Sequence, residues 1–330
     1  MKARFASICA VAVLLTTSSA TGAQDFKVTL LGTGTPILNV DRFGMSTLVE
    51  AGGQRLLFDA GRGVSIRLHQ AKVPLRSIDA VFITHLHSDH IAGLPDFYVT
   101  SAQGAGGRRP MPLNVHGPIG INNVARGIEL TFTDNDRIRV AGNEILPGSL
   151  KIAEHTIPPA GGTVYDKAGV KVTAFLVDHG LVKPAYGYRI DYGGHAVVLS
   201  GDTNYSPNLI EHAKGVDLLV HCVAIGSRRL EEAAPAFVNR FYDYLASPET
   251  VGRILNEVRP RQAAFSHISL YSRPDLSIPR PGTEELTSRV HAIYDGPFIV
   301  GEDLMAFRIG ADGVVGEPYW PARRHEEPNW

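Results

Sequence analysis

The sequence predicts an α+β protein in which two β-sheets pack face to face and helices cover them on the outside. Two observations carry that expectation. Short, strongly apolar, β-prone runs recur along the chain and are bounded by Gly-rich turns. Strands are followed by helix-compatible segments in two comparable halves, a pattern that buries the sheets and leaves the helices outside. Scale agrees: 330 residues with 44% hydrophobic and 20% charged content suffice for one large α/β domain or two smaller ones. No repeat of 20–50 residues is visible.

The elements follow in order. Phe26 to Leu31, Ser46 to Glu50 and Arg55 to Asp59 read as strands. Gly61 to Ala71 fits a helix with Ile66 and Leu68 inward. Ala80 to Ile83 is a buried strand, and a helix follows Gly93. Leu113 to His116 is a strand and Ile119 to Phe132 a helix. Residues 134–184 read mainly as strands, Val170 to Val177 most clearly. His195 to Ser200 is a strand, Asn208 to Lys214 a short helix, and Asp217 to Cys222 the next strand. Ser247 is placed to cap a helix over Pro248 to Val258, with Pro at its first position. Ala263 to Ser266 is a strand ending at His267. Residues 101–110 read as a flexible loop, and the tail after Gly316 as a surface extension.

The amino terminus reads as a targeting segment. Lys2 and Arg4 precede the apolar stretch Phe5 to Leu15, and Thr21-Gly22-Ala23 offers a small-residue cleavage site before Gln24. The expectation is a cleaved signal over residues 1–23, a periplasmic or secreted product, and no membrane span in the mature chain. Cys9 then leaves with the signal, and Cys222, inside the apolar run Leu218 to Val223, is expected to be a buried, inert thiol. The net charge of −1 supplies no global basic field, so no nucleic-acid partner is expected. Oligomeric state is left open, self-association included.

The segment Thr84-His85-Leu86-His87-Ser88-Asp89-His90 carries the chemistry. It leaves the end of the strand Ala80 to Ile83 and sets three imidazoles and a carboxylate within six residues. Those donors suit zinc and similar divalent ions, and the lack of a thiolate keeps manganese and iron in range. The His-x-His-x-Asp-His spacing resembles the signature of the metallo-β-lactamase superfamily. Leu30-Leu31-Gly32-Thr33-Gly34-Thr35-Pro36, Phe58-Asp59, Tyr186-Gly187-Tyr188-Arg189-Ile190, Ser200-Gly201-Asp202-Thr203 and Ser266-His267-Ile268-Ser269 follow in order. Together they resemble the ribonuclease Z-like branch, which also holds exported arylsulfatases.

That resemblance implies an αββα four-layer fold over residues 24–330 and a site of two divalent metals, zinc first. It implies that His85, His87 and His179 hold one ion, Asp89, His90 and His267 the other, and that Asp202 bridges them. Asp89 and Asp202 are the carboxylates it implicates in catalysis. Two ions about 3.5–4 Å apart can share a hydroxide as nucleophile. Imidazole ligands need partners for their second nitrogen, for which Asp59 and His221 are candidates. Arg62, three residues after Asp59, is the candidate contact to an anionic substrate, ahead of Arg108, Arg109, Arg228 and Arg229. Tyr186 and Tyr188 are expected to pack their strand.

Three departures from ribonuclease Z steer the expected substrate. Pro36 to Arg42 holds one basic residue where that family often has a basic stretch. Ile190 and Ser200 are joined through Asp191-Tyr192-Gly193-Gly194, a tight hairpin where bacterial members commonly insert a tRNA-gripping arm. Ala246 stands where the family's catalytic His is expected. A phenol leaves readily without a general acid and an alkoxide does not. The expected substrate is therefore a small anionic aryl sulfate or activated phosphodiester. A lactone, amide or imide hydrolase, ribonuclease Z itself, and a non-catalytic metal-binding protein are the alternatives. An iron-dependent oxidoreductase is disfavoured.

Overall fold

The computed structural model describes residues 26–104 and 108–318. The expected signal segment with Cys9, part of the 101–110 loop, and the end of the tail lie outside the described residues. The first sheet takes β1 (Phe26–Gly32), β2 (Ser46–Ala51), β3 (Gln54–Phe58), β4 (Ala80–Phe82), β5 (Leu113–Gly117) and β6 (Ile152–Thr156). The second takes β7 (Gly162–Lys167), β8 (Val170–Leu176), β9 (Tyr186–Tyr192), β10 (His195–Leu199), β11 (Leu218–Gly226), β12 (Gln262–Tyr271) and β13 (Phe298–Val300). The chain then returns to the first sheet as β14 (Ala306–Gly310) and β15 (Gly313–Glu317). Strand order is β15-β14-β1-β2-β3-β4-β5-β6 in the first sheet and β13-β12-β11-β10-β9-β8-β7 in the second.

Alternate side chains explain why these strands read as continuous apolar runs. Leu56 and Phe58 of β3, Ala80 and Phe82 of β4, Val197 and Leu199 of β10, and Leu218 and Val220 of β11 meet between the sheets. Leu57 and Val81 point the other way, to α1 (Val64–Gln70), α3 (Leu94–Ala102) and α4 (Ile121–Thr131). Ala196, Val198 and Leu219 likewise pack on α6 (Pro207–Ala213), α9 (Pro248–Val258) and α10 (Thr283–His291). The result is the four-layer αββα sandwich. In the β4–α3 connection, the four-residue α2 (Ser88–Ile91) carries Asp89 and His90.

Most strand expectations fall within a residue or two of the observed elements, and the Ser247 hydroxyl accepts the Thr250 N–H at 3.2 Å as a cap should. The β9–β10 hairpin is as tight as expected, with Gly193 and Gly194 both at positive φ. Four details differ. Ile66 is 54% exposed, because α1 buries Val64 and Leu68, one turn apart, on its inner face. The helix expected to end at Phe132 is followed at once by α5 (Thr133–Ala141), which is polar and carries no apolar stripe to announce it. Its buried Asp136 accepts the Tyr98 hydroxyl at 2.9 Å, so tertiary contact holds it in place. Strand β12 does not stop at Ser266 but runs through His267 to Tyr271. Gly316 lies inside β15, which runs to Glu317, so any tail begins later than expected.

Close backbone approach seats the α2 loop. Gly93 donates its N–H to the Ala60 carbonyl at 2.8 Å, and Ala60 donates to the His90 carbonyl at 2.7 Å. A Cβ on Gly93 would lie 2.1 Å from the Gly61 carbonyl oxygen. Gly93→Ala is therefore expected to destabilise the protein by about 1–3 kcal/mol, read from urea unfolding. An unchanged midpoint would mean that the two segments can part without cost.

Candidate metal centre

Strand direction brings the predicted donors to one edge. β3 and β4 run parallel, so Asp59 and the His85–His90 segment leave the same end. β8 and β10 each pair antiparallel with β9, so His179 and Asp202 also emerge together. His267 arrives differently. The β11–β12 ladder pairs Cys222 with Ser266 and then Val223 with Ile268, leaving His267 in a bulge at φ +46°. The bulge turns its ring toward the other donors, a common use of such irregularities.

Three groups of ligand atoms converge among the described residues: His85, His87 and His179; His85, His90 and Asp202; Asp89, His90 and His267. His85 Nε2 lies 2.9 Å from His87 Nδ1, which is 3.3 Å from His179 Nε2. His267 Nε2 lies 3.1 Å from Asp89 Oδ2, and His90 Nε2 3.6 Å from the same oxygen. Asp202 Oδ2 stands between the groups, 3.8 Å from His179 Nε2 and 3.5 Å from His90 Nε2. His87 is exposed and the other six are buried.

The donor set fits divalent cations. His90 Nε2, Asp202 Oδ1 and His267 Nδ1 are buried with no hydrogen-bond partner, a costly state for three polar atoms at one point. Burial disfavours charge on His85 and, with His90 beside it, holds its pKa well below the ordinary imidazole value. Burial also opposes ionisation of Asp202, but His267 and His90 outweigh it and hold that carboxyl well below the usual range. Deprotonated, these are the forms that ligate.

The far nitrogens are braced. His90 Nδ1 meets Asp59 Oδ2 at 2.7 Å. Asp59 Oδ1 accepts the Thr84 N–H at 2.8 Å, and the Thr84 hydroxyl lies 3.0 Å from His85 Nδ1. His179 Nδ1 meets the Tyr244 carbonyl at 3.0 Å. Tyr188, fully buried, donates its hydroxyl to the Ile83 carbonyl at 2.7 Å beneath the loop. Such partners fix ring orientation and tautomer. His221 is fully buried on β11, its Nδ1 2.6 Å from the Cys222 carbonyl, and burial lowers its pKa to about 4. Among the described residues no hydrogen bond joins His221 to a donor of the cluster, and its Nε2 has no partner.

Burial pushes the Cys222 thiol up to about 12, assisted by the Asp202 charge. Native protein is therefore expected to resist alkylation by iodoacetamide at pH 8, with reaction on denaturation. Rapid labelling of the folded chain in a mass-spectrometric time course would contradict that placement.

A cavity of about 320 Å³ opens on the donors. His87, Asp89, His179, Asp202 and His267 form its floor. Phe237 and Phe241 of α8 (Pro235–Tyr242), with Tyr244 and Tyr271, form a wall that the sequence reading missed. Arg62 is not part of it. Its guanidinium donates to the Pro36 carbonyl at 3.1 Å and the Thr35 carbonyl at 3.4 Å, bracing the first Gly-rich turn. Nearness to Asp59 in sequence did not aim the side chain at the cavity. The cation in the cavity lining is Arg280, in a segment with no motif to mark it. Arg109 is buried against the Tyr98 and Ser149 carbonyls, and Arg228 pairs with Glu231 and Glu249. Ala246 is buried, its N–H given to the Thr203 carbonyl and its own carbonyl accepting the Ala224 N–H.

A family model described as the β-lactamase superfamily domain matches residues 54–268. A ribonuclease Z of Mycobacterium bovis is 36% identical over 281 residues, covering 84% of this chain and 96% of that protein. A ribonuclease Z of Mycobacterium marinum is 42% identical over 199 residues, covering 60% and 70%. The crystal structure of human tRNase Z, short form, is similar with a TM-score of 0.60 at 19% identity, covering 85% of this chain and 98% of that one. The metallo-β-lactamase fold protein YhfI of Bacillus subtilis gives 0.65 at 18%, covering 86% and 98%. At those identities the two structures speak for the fold alone.

These relatives overturn two expectations. The aryl sulfate or activated phosphodiester reading, and the absence of a nucleic-acid partner, do not survive ribonuclease Z relatives that match along most of the chain. The tight β9–β10 hairpin and the alanine at position 246 leave the donor set as it stands. A net charge of −1 is a sum over the chain and says nothing of the local field at the cavity. With its fold, its donor cluster and its relatives in agreement, the chain is a metallo-hydrolase that belongs to the β-lactamase superfamily, on its ribonuclease Z-like branch.

Proposed function

We propose that the protein is a metal-dependent endoribonuclease of the ribonuclease Z type, hydrolysing a phosphodiester bond in tRNA-class substrates. The observation that carries this reading is the 36% identity to a ribonuclease Z across 84% of the chain. The geometry is compatible: a cavity floored by five of the seven donors, with an arginine in its lining, suits a phosphate group.

In this reading His85, His87 and His179 hold one divalent ion, Asp89, His90 and His267 a second, and Asp202 faces both. Bound there, zinc or a similar ion supplies Lewis-acid polarisation of a phosphoryl oxygen and acidifies water. The chain's own groups do the positioning. Asp59 and the Tyr244 carbonyl hold the His90 and His179 rings by their far nitrogens. Arg280 meets the substrate phosphate from the cavity wall. Burial raises the pKa of Tyr244 and Tyr271, so both hydroxyls stay protonated at neutral pH and can donate to a bound oxyanion.

A tRNA precursor bearing a 3′ extension tests the reading. Metal-replete protein is expected to cut it endonucleolytically, with the cut abolished by chelator and restored by zinc or manganese. Protein that holds two ions per chain by metal analysis and leaves every RNA intact would overturn it.

A further inference from the structure

Of the aromatic wall, the donor cluster engages Tyr244, whose carbonyl meets His179 Nδ1, and among the described residues it makes no hydrogen bond to Phe237 or Phe241. Phe237 and Phe241 sit four residues apart on one face of α8, and both are half-buried. Val238, between them in sequence, is fully buried with Leu230 and Leu245, and both phenylalanine rings pack by one side against that cluster, which anchors the helix. The Phe241 ring stacks on Tyr271 at 4.0 Å between centroids, and Phe237 meets Phe241 edge-on at 5.3 Å. Tyr244 continues the wall to the His179 ring, 5.3 Å away. Aromatic surface thus runs without a break from solvent to a metal-ligand candidate.

Its charge is local and positive. The Arg240 guanidinium lies over Phe241 at 4.9 Å and Phe237 at 5.6 Å, and Arg273 over Phe237 at 5.1 Å. Arg280 lines the same cavity. Among the described residues, the carboxylate paired with this group is Asp275, 2.6 Å from Arg273. Half-exposed rings interleaved with arginines, beside a site built for phosphate, make a surface that takes flat aromatic groups attached to a phosphate. The cavity, about 320 Å³, is at the small end of the roughly 300–1,000 Å³ of ligand pockets. That is room for one base with its phosphate, not for a duplex.

We infer that Phe237, Phe241, Tyr244 and Tyr271 form a nucleobase subsite that holds the base of a nucleotide flanking the scissile phosphate, in single-stranded form. The inference rests on the ribonuclease reading and deepens it: the aromatic wall sets the cut by gripping one unpaired base, and the arginines hold its phosphate. Stacking tolerates any base, so the subsite selects for an unpaired nucleotide more than for its identity.

The test compares precursor RNAs that carry a normal nucleotide or an abasic one, placed in turn on each side of the cut. Wild-type protein is expected to show a KM roughly 5- to 150-fold higher for one of the two abasic substrates, the range of one lost stack. Phe237→Ala, at a half-buried position, is expected to raise KM for the normal RNA by a similar factor and to erase the abasic penalty. Phe241→Leu keeps the apolar packing but not the flat ring and is expected to do the same, with two ions per chain retained. Equal KM for all three RNAs with wild-type protein, or unchanged KM in both variants, would overturn the subsite while leaving the ribonuclease reading intact. A wild-type protein that cuts none of them overturns both.

Discussion

Asp202→Ala is expected to cost the protein at least one of the two ions proposed for the site and to lower the proposed RNA cleavage by well over 100-fold. Loss of an outer partner costs roughly 10–100-fold in affinity or activity, and Asp202 stands inside that shell. Its carboxylate faces His90 Nε2, His179 Nε2 and His267 Nδ1 within 3.3–3.8 Å, and it stands between the two donor groups. Without it Asp89 is left as the one carboxylate among five imidazoles, and the charge of two divalent ions is poorly balanced. Metal analysis by plasma mass spectrometry, alongside cleavage assays at saturating zinc, checks both parts. A variant that keeps two ions per chain and cleaves within about tenfold of wild type would remove Asp202 from the ligand set.

The second large effect is expected at a residue that touches no ion. Asp59→Ala strips a buried acceptor from His90 Nδ1 and from the Thr84 N–H. Each orphaned group costs about 1–3 kcal/mol, and metal affinity should fall by roughly 10–100-fold. Asp59→Asn separates the two consequences. The amide oxygen can still accept from Thr84, so stability should largely recover. The amide N–H₂ would face His90 Nδ1 and require it to accept, which moves the ring proton to Nε2, the nitrogen aimed at Asp89 and Asp202. The Asp59→Asn variant is therefore expected to melt near wild type yet bind zinc as weakly as the Asp59→Ala variant in a chelator competition. Recovery of zinc affinity in the amide variant would show that Asp59 props the loop without setting the tautomer.

What could be read from the sequence followed range and environment. Strands buried on both faces, such as β3, β4, β10 and β11, betray themselves as apolar runs because both neighbouring layers demand it. The Ser247 cap is a contact three residues long. The donor loop is contiguous, and His179 and Asp202 follow strand ends; His267 instead lies inside β12, in a bulge that only the strand pairing reveals. The aromatic wall was invisible because no motif marks Phe237 and Phe241, and only the fold seats both rings, half-buried, in the lining of the cavity. Arg62 misled because sequence proximity fixes a backbone position but not a side-chain direction. The partner was misjudged because charge was summed over the chain, whereas Arg240, Arg273 and Arg280 gather beside one cavity. The polar α5 gives no periodic signal, and its Asp136 is explained only by a tyrosine 38 residues away.

His267 is a surplus residue in its own strand. Five pairs of the β11–β12 ladder precede it, four follow, and it belongs to none. Deleting it would let the two strands pair without interruption and would relieve a left-handed backbone that costs a side-chain-bearing residue roughly 1–2 kcal/mol. The sheet would survive and the chemistry would not. Inheritance of this architecture is thus no warrant of activity: a single codon lost at position 267 would leave a descendant with the same silhouette, a smoother strand, and a donor set one member short.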